Sequence, residues 1–276
     1  MVQVLPFIKM QGTGNDFVIF DARESAFPLS KEGVMLVADR HRGVGCDQLI
    51  VTRQSADADC FMDIYNADGS QSGACGNATR CVASLLMTET GKEAVTIETK
   101  AGLLRAYAAE NGQVTVDMGI ARLGWQDIPL AKELNTLHLG ITREILRDPV
   151  GVSMGNPHAV FFVPDVDDVD LKRLGPPLEK DKLFPEKANI GVVQVISREE
   201  IRLRVWERGA GETLACGSGA CAAVVASNRR DYTDNMVTVH VQGGTLQIEW
   251  KEDGHVFMTG AVATSFTGVL DTALIK

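Results

Sequence analysis

The sequence has no long apolar run. Nothing in its 276 residues approaches the roughly 18 consecutive apolar residues of a membrane-spanning helix, so no membrane partner is expected. A basic excess is missing too: 27 Lys and Arg against 36 Asp and Glu leave a net charge of -9, whereas binding a phosphate backbone needs a basic surface. Nucleic acid is therefore not an expected partner. Met1 to Pro6 lacks the basic region, apolar run and small-residue cleavage site of a secretory leader, which makes the cytoplasm the expected compartment. Six cysteines are present, yet no two have Cys-x-x-Cys spacing, and the five histidines are scattered, so no metal is expected. A chain of this length has no need of disulfide staples either. Gly12-x-Gly14 lacks the third glycine of a dinucleotide loop and runs into a strand instead of a helix. Pro164 to Asp170 lacks the glycine and closing glutamate of a calcium loop and reads as a solvated helix start.

What the sequence does contain is a repeat. Ala74-Cys75-Gly76-Asn77 returns as Ala215-Cys216-Gly217-Ser218, at an offset of 141 residues, the difference between positions 75 and 216. The same offset superposes Asn15 on Asn156, Gln48 on Asn189, Tyr65 on Trp206 and Asn66 on Glu207. Polar and aromatic matches of this kind coincide once by chance, hardly four times at one offset. The chain is a duplication with one such cysteine per copy, and a composition of 45% hydrophobic and 23% charged residues suits two globular domains with sizeable cores.

Taken in order, Val4 to Phe20 reads as strand, turn and strand, the glycines turning the backbone to present Asn15. Ser30 to Asp39 reads as a helix with Ser30 as its N-cap. Gln48 closes a glycine-bearing loop before an apolar strand, and Phe61 to Tyr65 forms the next strand. A turn with an Asp-Gly signal follows, then a helix from Asn77 to Thr90 with Gly91 as its C-cap. The second copy repeats this plan, with Ile201 to Trp206 as strand and Cys216 opening a helix to about Asn228. The strand pairs that follow correspond once the offset slips by one residue. The first copy spans 1–118, completed by the tail 264–276 as an extra strand, and the second spans 119–263. Many strands with one main helix per copy give an α+β fold of two similar domains, each a sheet wrapped around a central helix.

A cysteine in the first turn of a helix feels the partial positive charge of unpaired amides, which favours its thiolate. The same amides bind a carboxylate oxygen. Two such helices acting on one substrate would hold its carboxylate and set a sulfur on each side of the adjoining carbon. One sulfur, as thiolate, removes a proton; the other, as thiol, delivers one to the opposite face. That is the chemistry of a racemase or epimerase. A lone cysteine here would ordinarily be a small buried residue, the reading kept for Cys46, Cys60, Cys81 and Cys221. The pairing by repeat reverses the preference for Cys75 and Cys216. The copies also differ: Asn66 stands opposite Glu207 and Ala67 opposite Arg208, so the substrate has distinguishable ends. Glu207 suits an ammonium, and Arg208 a second carboxylate.

These residues resemble the diaminopimelate epimerase family over nearly the full chain. The likeness runs through Gly12-Thr-Gly-Asn-Asp-Phe17, Gly45-Cys-Asp-Gln48, Tyr65-Asn-Ala-Asp-Gly69 and Cys75-Gly-Asn77. It continues through Gly155-Asn-Pro-His158, Asn189, Trp206-Glu-Arg-Gly209 and Ala215-Cys-Gly-Ser-Gly-Ala220. Each is short; together and in order they are specific. The resemblance implies an enzyme without pyridoxal phosphate or another cofactor that interconverts LL- and meso-diaminopimelate, supplying lysine and peptidoglycan. It implies Cys75 and Cys216 as the acid/base pair, in an active site in the cleft between the domains. The amides of Gly76, Asn77, Gly217 and Ser218 would hold the reacting carboxylate, and Glu207 the reacting ammonium. His158 and Glu207 would tune the thiols. Asn66, Asn156, Asn189 and Arg208 would hold the distal centre, with Asn15 and Gln48 completing the pocket. A homodimer is also implied. The rival readings are a proline racemase-like enzyme, a phenazine-pathway isomerase-like protein and a non-catalytic amino-acid-binding protein. The first lacks the Asn and Glu-Arg set, the second the cysteine pair, and the third has no use for two thiols.

Overall fold

A computed structural model describes residues 4–25, 27 and 30–272. They fall into two compact units, one within Met1–Val116 together with Gly260–Lys276, the other Asp117–Thr259. In the first unit, strands Val4–Gly12 and Asn15–Asp21 form a hairpin with Gly12 opposite Asn15. Thr13 and Gly14 turn it with φ of 56° and 81°, the left-handed pair that a two-residue hairpin turn requires. Helix α1, Lys31–Ala38, then crosses over to strand Gln48–Arg53, which lies parallel to Asn15–Asp21. Ser30 caps α1 as expected, its hydroxyl accepting from Gly33 N at 3.0 Å. Strand Cys60–Asn66 returns antiparallel, and helix α2, Gly76–Thr90, leads to strand Ala94–Thr99, parallel to Cys60–Asn66. Gly91 ends α2 in the left-handed conformation, φ 69°.

Both faces of this sheet are covered, because successive side chains on a strand point to opposite faces. Phe7, Val18, Phe20, Leu49 and Val51 pack with Val34, Val37 and Ala38 of α1. Along α2, the stretch Gly76 to Ala83 is buried without a break, as expected of a helix enclosed by the sheet that surrounds it. The tail enters this unit: strand Ala263–Asp271 runs antiparallel to Val4–Gly12 along its whole length. Residues 273–276 of that predicted extra strand lie outside the described residues.

The second unit repeats the order. Strand Pro157–Phe162 pairs in parallel with Asn189–Ser197, as Asn15–Asp21 does with Gln48–Arg53, and His158 opposite Asn189 repeats Phe17 opposite Gln48. Strand Glu200–Glu207 sets Ile201 against Val239, where the first unit sets Cys60 against Ile97. This register carries the one-residue slip read from the sequence. Helix α4, Gly217–Arg229, is buried from Ala220 to Ser227 within a core of Val150, Val193, Leu203, Val205, Leu246 and Met258. Its small side chains let strands approach from all sides. On the opposite face of the sheet lies helix α3, Leu171–Glu179, capped by Asp170, whose side chain accepts from Arg173 N. The acidic run before it is therefore a helix start. Residues 121–149 have no counterpart in the first unit. Trp125, Ile128, Leu130, Leu139 and Leu146 from this segment join Leu171, Leu174 and Phe184 in the outer core. No helix among the described residues is long and apolar enough to cross a membrane.

Candidate active site

In the first unit the turn of the hairpin and the start of α2 meet. Cys75 is the N-cap of α2, with φ −150° and ψ 109°, and makes no side-chain cap bond. Its sulfur instead donates to Asn15 Oδ1 at 3.8 Å, which also accepts from Asn77 Nδ2 at 3.3 Å. Asn15 Nδ2 donates to Asp47 Oδ2 at 2.9 Å. Asp16, beside Asn15, pairs with the buried Lys9 and with Arg40 at 2.7 Å, and Arg40 reaches Asp47 at 2.9 Å. Burial pushes the Asp16 carboxyl up, but Arg40 and Lys9 outweigh it and hold it at about 2. Gln48 and Asn66, opposite one another on neighbouring strands, form a second pair, Gln48 Nε2 donating to Asn66 Oδ1 at 2.9 Å. Both are half-buried rather than surface residues.

The second unit gathers its predicted residues more tightly. Cys216, the N-cap of α4, is buried, and its sulfur accepts from Gly219 N at 3.3 Å. Ser218 Oγ lies 3.6 Å from that sulfur and accepts from Asn156 Nδ2 at 3.3 Å. Asn156 Oδ1 in turn faces His158 Nε2 at 3.0 Å. One strand over, Asn189 Oδ1 accepts from Arg208 N at 2.8 Å while its Nδ2 donates to Pro157 O at 3.0 Å. Each end of the Asn189 amide is thus bonded to protein, and the residue orients the backbone at Arg208. The Arg208 side chain is exposed and donates to Glu186 O at 3.0 Å. Glu207 accepts from the Thr213 hydroxyl.

Helix-start amides alone would favour thiolate; at Cys216 other influences run against them. Burial raises its thiol well above the ordinary value, and the Glu207 carboxylate beside it adds to the rise. The Ser218 hydroxyl and Gly219 amide pull it down, but less. Burial likewise lowers His158 to about 3, with the Arg208 charge helping, so its imidazole is neutral at physiological pH. The other cysteines behave as core residues: burial lifts Cys46 to about 11, and Cys60 and Cys81 to about 12. Cys221 is fully buried in α4. Among the described residues no group of three or more His, Cys, Asp or Glu is placed to hold a metal ion.

Sequence reading missed three residues that hold these groups. Arg80, Asp47 and Thr213 bond to Asn77, Asn15 and Glu207 respectively. Arg80 alone left a trace, as a cation one turn beyond Cys75 in a helix of small and apolar residues. The expected role of Gly12 also changes. Its φ is not left-handed, but a Cβ there would stand 3.1 Å from Arg80 Nη2 and 3.3 Å from Asn77 O, so the glycine eases a close approach.

These features define a class: a duplicated α+β protein whose two central helices each begin at a cysteine. The architecture is shared by a phenazine biosynthesis protein of the PhzF family from Bacillus anthracis. There the TM-score is 0.69 at 18% identity, over 97% of this chain and 99% of that one. A hydroxyproline epimerase from Agrobacterium vitis, solved with trans-4-hydroxy-L-proline, gives 0.69 at 14% identity, over 100% and 96%. At such identities only the fold is shared. Sequence decides the rest. The pattern of the family described as diaminopimelate epimerase matches residues 7–124 and 150–265, leaving most of the segment without counterpart unmatched. The diaminopimelate epimerase of Acidiphilium cryptum is 52% identical over 275 residues, 100% of this chain and 99% of that protein. That of Rhodospirillum centenum is 54% identical over 271 residues, 98% and 93%. The chain belongs to the diaminopimelate epimerase family and is accordingly an enzyme, an isomerase.

Proposed function

We propose that this chain interconverts LL- and meso-diaminopimelate with Cys75 and Cys216 as its proton-transfer pair and no cofactor. The observation that carries this reading is that the two copies set a cysteine at the same helix position but surround it differently. Around Cys75 stand neutral amides; around Cys216 stand a carboxylate, a hydroxyl and, one residue beyond Glu207, an arginine. A substrate with one reacting amino-acid head and one fixed head needs that asymmetry, and proline does not. One thiolate takes the α-proton and becomes a thiol, the other thiol gives its proton to the opposite face and becomes a thiolate, and the α-carbon is inverted. Amides of Gly76, Asn77, Gly217 and Ser218 stabilise the charge gathering on the carboxylate. Glu207 takes the reacting ammonium, and neutralising its charge relieves the rise it imposes on Cys216. Arg208, oriented by Asn189, grips the distal carboxylate through its planar fork, with Asn66, Asn156, Asn15 and Gln48 around it. The proposal extends to copies at 1–118 with 264–276 and 119–263, to a cytoplasmic homodimer, and to a place in lysine and peptidoglycan precursor synthesis.

The test is turnover of LL-diaminopimelate, L-proline and L-glutamate by purified protein in deuterated water. Solvent deuterium is expected in the inverted diaminopimelate during the first turnovers, with the other two substrates inert. Inversion of proline at a comparable rate would replace the substrate, and absence of exchange at any α-carbon would leave a binding protein.

A further inference from the structure

Arg80 is fully buried in α2, at 0% exposure, and no step of the chemistry above uses it. Its Nη1 donates to Asn77 Oδ1 at 3.0 Å and its Nη2 to Thr13 Oγ1 at 2.9 Å. It thereby ties the hairpin turn to the first turn of α2, passing so close to Gly12 that a Cβ there would stand 3.1 Å from Nη2. At the far side of Asn15 stands Asp47, whose Oδ2 accepts from both Asn15 Nδ2 and the Asp16 amide, and whose Oδ1 accepts from Arg40.

A guanidinium only donates hydrogen bonds and a carboxylate only accepts them, whereas each asparagine amide has one end of each kind. A chain of two amides between such ends has one consistent polarity. The Asn77 oxygen must face Arg80, so its nitrogen faces Asn15. The Asn15 oxygen must then face Asn77, and its nitrogen faces Asp47. The end of Asn15 turned toward the Cys75 sulfur is consequently the oxygen, which accepts from a thiol and repels a thiolate. In the second copy the residue at the place of Asn15 does the opposite, Asn156 sending its nitrogen toward the cysteine side through Ser218.

We propose that Arg80 and Asp47 are positioning residues that lock the Asn77 and Asn15 amides from both ends, so that an acceptor oxygen faces the Cys75 thiol. The consequence for catalysis rests on the reading of Cys75 as an acid/base group; the lock itself does not. Either end alone preserves the polarity, so the two residues act redundantly, and this redundancy separates an orienting role from a merely structural one.

The experiment measures alkylation of Cys75 by iodoacetamide at one fixed pH, by peptide mapping of the full chain, with Cys216 in the same molecules as internal reference. Asp47→Asn and Arg80→Gln, each able to present either end of an amide, are each expected to change the Cys75 rate by less than about twofold. The double variant frees Asn15 to turn its nitrogen to the sulfur, and Cys75 should alkylate about three- to tenfold faster with the Cys216 rate unchanged. kcat/KM for LL-diaminopimelate should fall by a similar factor, and restoring Arg80→Lys in place of Arg80→Gln should recover most of it. A double variant that alkylates as the product of the singles predicts, or as wild type, overturns the lock. Where Arg80→Gln does not fold, the wild-type protein decides: slow hydrogen exchange of the Asn15 and Asn77 side-chain amides supports the lock, and exchange at the rate of a free amide overturns it. A Cys75 response in a protein that does not turn over diaminopimelate would sustain the lock while removing the proposed substrate.

Discussion

The starts of α2 and α4 are one sequence device placed in two chemical settings. Both cysteines are N-caps in extended backbone, each followed by glycine. The Cys216 side chain caps its own helix, its sulfur accepting from the Gly219 amide, while the Cys75 side chain makes no cap bond and its sulfur donates to Asn15. A carboxylate stands beside Cys216, and neutral amides stand beside Cys75. Duplication thus supplies two equivalent sulfurs, and the neighbours make them inequivalent. For a reaction that takes a proton with one group and gives it with another, it is these neighbours that set the two sulfurs apart. In an acid/base pair the environments, rather than the residue types, assign the roles.

The largest effect that probes this comparison comes from removing each sulfur. With two groups on opposite faces, Cys75→Ala and Cys216→Ala should each lower epimerisation by about a thousandfold or more, within the range for losing a general acid or base. The two variants should differ from each other, because the remaining thiolate reaches the α-hydrogen of only one stereoisomer. Circular dichroism of each variant with pure LL- and pure meso-substrate reads both points. An alanine variant that still inverts the centre near the wild-type rate would reduce the duplication to architecture.

A second break in the symmetry is Arg208, where the first copy has Ala67. Arg208→Lys keeps the charge and loses the two-point grip. A charge-assisted contact is worth roughly 1.5–3 kcal/mol, so kcat/KM should fall by about one to two decades, with the loss confined to substrates bearing a second carboxylate. Unchanged kcat/KM on LL-diaminopimelate would take Arg208 out of the site.

Much of this was legible in the sequence because it is local or periodic. Ser30 and Gly91 mark helix ends by their own chemistry, and one offset aligns His158–Asn189 with Phe17–Gln48 before any strand is seen. What escaped is made by distant chain segments. Asp47 is an exposed residue whose bond to Asn15 is made only when the hairpin turn brings the two together. Arg80 stands out only as a cation among small and apolar residues, and its bonds to Thr13 and Asn77 form once the helix is enclosed. Helix α3 was visible only at its acidic start, since Pro176 and Pro177 lie inside it, where proline ordinarily ends a helix. At Cys216 the helix start that favours a thiolate is local, but the burial and the Glu207 charge that oppose it are not.

The smallest effect concerns His158, whose place in the first copy is taken by Phe17, both fully enclosed in their strands. Burial holds His158 at about 3, below its ordinary 6.5, so the folded chain keeps it neutral between those values while the unfolded chain binds a proton. In that window the unfolded state carries more protons, so stability rises with pH and is lost as pH falls from 6.5 toward 3. His158→Phe makes the second copy like the first at this position and removes the titrating group. The wild type should therefore lose about 1 kcal/mol more than the variant on going from about pH 6 to about pH 5, one unit of linkage for one proton. Urea midpoints of both proteins at the two pH values read this directly, since the slope with denaturant stays common to them. At neutral pH the difference reverses or shrinks, because the variant loses only the bond from Nε2 to Asn156 and gains an apolar ring. Parallel pH profiles would mean that the imidazole takes up its proton within the fold, and that the contrast between His158 and Phe17 is one of shape rather than charge.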